Sequence, residues 1–220
     1  KELLKKQIGV QLKRKEQNII SLRDVFGFRG AVNPDEMQSL QGTYRLFRPS
    51  HVNPTKNILL SQLVIGKEEN HFHCSLSSRF TDSFGAERTD FFRGSIVPYG
   101  QKLIAIMHDS VTNYEEPGER YAGRTIKGNL ILHFDDVDYS ANDEVVQGLN
   151  GIVLMAVGNG PASAWPINAR RVPDGESFEP SEMSTLDFAT LPEPIQDSLN
   201  RGAVHWNPRY YPTSPSEPKV

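Results

Sequence analysis

Apolar residues recur along the chain with two different periods. Over residues 1–26 the spacing is helical: Leu12, Ile19 and Phe26 stand seven apart, with Ile8 and Leu22 interleaved between them. This predicts an amphipathic helix with a short heptad-like stripe, interrupted by Lys5 and Lys15 and weakened by Gly9. From residue 40 to residue 172 the period falls to two. Runs rich in apolar and β-branched residues predict eight strands, over residues 43–48, 57–65, 71–79, 90–97, 102–108, 125–134, 146–157 and 163–172. Pro49 and Pro54, residues 66–70, Gly85, residues 98–100, 117–118 and 158–161 supply the turns between them, by positive or preset φ. Short strands with such punctuation predict an all-β sandwich or barrel.

A glycine motif repeats inside this region. Apolar-x-Gly-x-apolar occurs at Leu40-Gln41-Gly42-Thr43-Tyr44, Phe92-Arg93-Gly94-Ser95-Ile96, Ile126-Lys127-Gly128-Asn129-Leu130 and Leu149-Asn150-Gly151-Ile152-Val153. Glycine weakens a strand unless another backbone comes close or the strand bends, and small closed barrels bend at their corners. Side-chain alternation then sorts the faces. Tyr44 and Leu46, Leu130, Leu132 and Phe134, and Val153, Met155 and Val157 share the glycine parity, while Phe72, Cys74 and Leu76 line one face of the third strand. One apolar and one mixed face suit an antiparallel sheet wrapped round its own core.

Gly42-Thr43-Tyr44 at the start of a first strand, with a basic pair, Arg170-Arg171, closing the eighth, resembles the lipocalin/calycin group of up-and-down barrels. That group carries Gly-x-Trp in its first strand and packs an arginine of the last strand on the tryptophan; here Tyr44 stands for the Trp, and the group's disulfides are absent. The resemblance covers residues 40–172 and implies an eight-stranded antiparallel barrel with a ligand in its mouth. The arrangement is also similar to the sensory domains that follow helix-turn-helix DNA-binding units in some bacterial regulators. The chain opens on a lysine within a helical pattern, as a processed chain or a fragment of something longer would; if an N-terminal domain has been removed, the function of the whole could lie in that part.

Residues 173–220 hold eight of the fifteen prolines. A short helix is predicted over residues 193–201, with Pro192 and Pro194 near its start and Gly202 past its end. The rest reads as a strap on the barrel that buries Trp206, or as a docking peptide. The organisation is therefore a basic helix for linking or dimerisation over 1–28, a barrel over 40–172 and a Pro-rich extension over 173–220.

Charge and composition narrow the function. The net charge is −3, although residues 1–24 carry seven Lys or Arg against three acids. No bulk basicity argues for nucleic acid. No apolar run reaches a membrane span, and the single cysteine, Cys74, excludes an internal disulfide framework. These features predict a cytoplasmic protein.

Catalytic patterns are incomplete. His71-x-His73 places two imidazoles on one strand face, but no nearby acid completes a cupin-type set. Adjacent strand residues point apart, so His108-Asp109-Ser110 cannot relay a proton as a triad. The acids at Asp135, Asp136, Asp138, Asp143 and Glu144 lack calcium-loop spacing and read as hairpin tips. Gly158-Asn159-Gly160 precedes a strand, not the helix a phosphate loop needs. Arg45, Arg48, Arg93 and Arg124 could form a basic rim for an anion such as a nucleotide second messenger, but Arg45 and Arg93 take the outward parity.

The reading is a non-enzymatic sensory module without metal or cofactor. Its barrel takes up a small apolar or amphipathic molecule among Tyr44, Phe72, Met107, Leu132 and Met155, and signals through the N-terminal helix. Its partners would be that ligand, a second copy joined through residues 1–26, and a missing domain or protein. The competing expectation is a filled barrel used as an assembly scaffold, since eight strands leave a bore that side chains alone can fill.

Overall fold

The computed structural model describes residues 37–50, 53, 55–68, 71–81, 85, 87–99, 102–109, 128–140, 145–157 and 163–204. All of them fall in one compact unit, Asp35–Val220. The helix expected over residues 1–26, Arg124 and Trp206 lie outside the described residues.

Eight antiparallel strands follow one another in sequence: β1 Gly42–Pro49, β2 Asn57–Glu68, β3 His71–Thr81, β4 Glu87–Tyr99, β5 Lys102–Asp109, β6 Gly128–Tyr139, β7 Val146–Val157 and β8 Ser163–Arg171. Each pairs with its neighbour, and β8 returns to β1, with Tyr44 opposite Arg171 and Phe47 opposite Asn168. The result is a closed up-and-down barrel, consistent with the calycin-like arrangement. Following the pairings round the barrel gives a stagger of about ten residues, which tilts the strands by roughly 35–45° to the barrel axis.

The glycine parity is the inward one. Tyr44, Leu46, Leu63, Leu76, Phe92, Met107, Leu132, Phe134 and Val153 belong to one buried interior cluster. At Gly94 a Cβ would stand 1.9 Å from the Ile106 carbonyl oxygen, and at Gly151 2.0 Å from that of His133. Only glycine lets these strands approach so closely.

Several local expectations change. Gly66 and Pro98 are strand residues, opposite His73 and Leu103, not turn residues. Pro98 lacks an N–H but sits near the end of β4, where the loss costs little. A register shift between Phe134 and Asp136 lets β6 run on to Tyr139, so Asp135, Asp136 and Asp138 are strand residues, not hairpin tips. Asp136 accepts a hydrogen bond from Asn150 at 3.0 Å, and Asp138 pairs with Arg170 at 2.9 Å.

Residues 173–204 lie on the barrel, and they contain a ninth strand that the sequence pattern does not predict. β9, Ser184–Asp187, pairs with Asn57–Leu60 of β2. α1, Glu193–Val204, starts where expected and runs past Gly202. Together they build a second core outside the barrel, in which Phe178, Leu191, Ile195 and Leu199 meet Phe47, Ile58, Leu60 and Val172. Arg45 holds the strap from β1, 3.1 Å from Glu182 and 3.6 Å from Glu176. Ser198 of α1 donates to Asn150 at 2.7 Å, and Asn168 donates to the same oxygen at 2.5 Å.

Candidate functional site

The bore is best followed from β1, whose inward residues are Gly42, Tyr44, Leu46 and Arg48. At the end where β1 begins, the preceding residues fold across the barrel. Met37 and Leu40 join the interior cluster. The Tyr44 hydroxyl donates to the Leu40 carbonyl at 2.7 Å. Arg171 ties this end together. Its Nη2 donates to the Gln41 carbonyl at 2.6 Å, and its Nη1 reaches the Ser39 carbonyl, the Val146 carbonyl and the Tyr44 hydroxyl, each at 3.4 Å. The guanidinium stands 5.8 Å from the Tyr44 ring centroid and lies directly over Gly42. The arginine on the first-strand aromatic is thus Arg171; Arg170 points outward to Asp138. Burial pushes the Tyr44 hydroxyl up to about 12, with the Arg171 charge and hydrogen bond opposing it.

All five expected ligand contacts, Tyr44, Phe72, Met107, Leu132 and Met155, face this interior and belong to its single buried cluster. Cys74 lies among them, and burial raises its thiol to about 12, far from a reactive thiolate.

Towards the other end the lining changes character. One inward step beyond Leu46 comes Arg48; beyond Leu63, Ser61; beyond Leu76, Ser78; beyond Phe92, Asp90. The register places these at neighbouring levels: Leu46 is opposite Ser61, Ser61 opposite Ser78, and Ser78 opposite Asp90. The two serine hydroxyls share a hydrogen bond of 2.8 Å. Arg48 is 1% exposed, and its Nε and Nη1 have no hydrogen-bond partner among the described residues. Burial pulls the guanidinium below its ordinary range, and the Asp90 charge acts against that shift. Four consecutive strands therefore pass from apolar to polar at one height of the bore.

The four arginines make no common rim. Arg45 and Arg93 are outside, Arg45 under the strap and Arg93 5.4 Å from the Phe91 ring centroid. Only Arg48 of those described enters the barrel. Its parity with Tyr44 and Leu46 was the available signal, and Ser78 likewise follows the parity of Phe72, Cys74 and Leu76. The mixed polar and apolar strand ends concealed the belt. On the outer surface, the exposed His73 ring covers Gly66. Among the described residues no three His, Cys, Asp or Glu side chains come together as a metal set.

In comparison with known proteins, the chain matches no family model, no curated protein and no solved structure.

Proposed function

We propose that this protein is a non-enzymatic ligand-binding module. Its barrel takes up a small amphipathic molecule and passes the occupancy to the chain that precedes the barrel. One observation carries the reading: within a single closed bore, the lining changes from apolar side chains to a buried polar belt containing Arg48. A polar group left unmatched in an apolar interior costs free energy, and such groups persist where a ligand can satisfy them. Residues 37–41 offer a route for the signal, because they pack on the same interior cluster and are tied to β8 through Arg171.

Native mass spectrometry of the purified protein beside a denatured control tests the uptake. Expected is an adduct of a few hundred daltons that leaves on denaturation, or one regained with saturable thermal stabilisation when C8–C14 amphiphiles are added. A bare mass together with no stabilisation by any amphiphile sinks the proposal.

A second reading, assembly through the barrel wall, draws on the outer face of β5–β7. Ile106, Ile131 and Leu154 pair there across three strands, and Leu154 is 39% exposed. A concentration-dependent mass lost in an Ile131→Glu variant would favour it.

A further inference from the structure

We infer that Arg48 is the anchor for the head of the bound molecule, and that this head is a singly charged oxyanion, a carboxylate in the first instance, on an apolar tail. The inference rests on the interior-ligand reading above and gives it a chemistry.

The geometry sets the direction of the ligand. Arg48, Ser61, Ser78 and Asp90 form a polar level of the described lining, with Leu59 and Phe80 inward beyond it on β2 and β3; on its other side the next inward residues of the four strands are Leu46, Leu63, Leu76 and Phe92. A head held at Arg48 therefore sends its tail along an apolar wall towards Met107, Leu132 and Tyr44. The arginine at the tail end, Arg171, is only partly buried and already donates to the Ser39, Gln41 and Val146 carbonyls and the Tyr44 hydroxyl.

The charge follows from what surrounds Arg48. Two of its three guanidinium nitrogens are buried donors with no acceptor among the described residues. The two serines bond each other. Asp90 is the acidic side chain whose charge acts on Arg48, yet burial is the larger influence on that guanidinium. An arriving anion supplies the missing acceptor and a second counter-charge. Charge-assisted hydrogen bonds from arginine to an oxyanion are about twice as strong as neutral ones. The carboxylate of Asp90 also limits the incoming charge: a dianion would meet repulsion that a monoanion meets only once.

The test uses the full chain and matched probes: octanoate, decanoate and tetradecanoate, the corresponding primary alcohols, and decyl phosphate. All are kept below their micellar concentrations, and affinities are read by calorimetric titration. Wild type is expected to bind the acids at least tenfold more tightly than the alcohols of equal length, with decyl phosphate weaker than decanoate at pH 8. Arg48→Met should remove the preference for the acids and leave the alcohols within about twofold. Arg48→Lys should keep part of the preference. The double variant R48M/D90N removes both charges, so it supplies a folded reference if Arg48→Met alone does not fold; it too should lose the preference.

Equal binding of acids and alcohols by wild type, or an acid preference that survives Arg48→Met or the double variant, overturns the anchor while leaving interior binding intact. Tighter decyl phosphate than decanoate overturns the single-charge requirement. Failure of every probe to bind overturns the interior-ligand reading itself.

Discussion

Tyr44 and Cys74 show how burial writes a pH dependence into single residues. Both sit inside the barrel, and burial raises both groups to about 12, from 10.0 and 9.0. The folded state keeps their protons while the unfolded chain releases them at ordinary values. Their contribution is therefore complete below pH 9 for Cys74 and below pH 10 for Tyr44, and is lost as the pH rises towards 12. Within its window each group removes about 1.4 kcal/mol of stability per pH unit. Urea unfolding followed from pH 8 to pH 11.5 should show this decline. Tyr44→Phe should flatten it above pH 10, at a cost of about 1 kcal/mol at neutral pH for the hydrogen bond to the Leu40 carbonyl. An unchanged alkaline slope in Tyr44→Phe would mean that the hydroxyl does not titrate as a buried group.

At the scale of the strand, the glycines divide into two kinds that the sequence pattern alone does not separate. Gly94 faces the Ile106 carbonyl oxygen, which cannot move without breaking the β4–β5 ladder. Gly66 faces the ring of His73, an exposed side chain that can rotate away. Gly94→Ala should destabilise the protein by several kcal/mol or prevent folding, whereas Gly66→Ala should cost about 1 kcal/mol or less. Chemical denaturation of the two variants checks the contrast, and similar losses would refute it. The interior strands were legible because alternation and glycine spacing are properties of the strand itself, as Gly42 to Leu46 and Gly128 to Phe134 illustrate. β9 was not legible: four residues, Ser-Thr-Leu-Asp, carry no period, and they become a strand only because residues 57–60 of β2 offer an edge. The polar belt was partly legible. The parity of Arg48 was readable from Tyr44 and Leu46, but its height beside Ser61, Ser78 and Asp90 depends on the registers of three strand pairs, which no single strand encodes.

Among the described residues, two apolar cores are separated by the barrel wall, one within the bore and one beneath the strap and α1. β1 and β2 serve both: Tyr44, Leu46 and Leu63 face inward, while Phe47, Ile58 and Leu60 face the strap. Such a wall keeps its shape while its two ends do different work, so local loosening can occur at one end without global unfolding. Arg171 is the place where this can be measured, because it joins residues 39 and 41 to β7 and β8 through four hydrogen-bond acceptors. The Val146 amide donates to the Ser39 carbonyl at 3.1 Å and reports on this end, while the Phe188 amide donates to the Lys56 carbonyl at 2.7 Å and reports on the strap. Arg171→Met should speed hydrogen exchange at Val146 by tenfold or more and leave Phe188 within about twofold. If both amides accelerate equally, Arg171 supports the whole fold instead of fastening residues 37–41, and those residues lose their claim as the route from the bore to the preceding chain. If only Val146 responds, the fastening has its own opening equilibrium, separate from unfolding, and an occupant of the bore that packs against Leu40 and Tyr44 has an equilibrium it can bias.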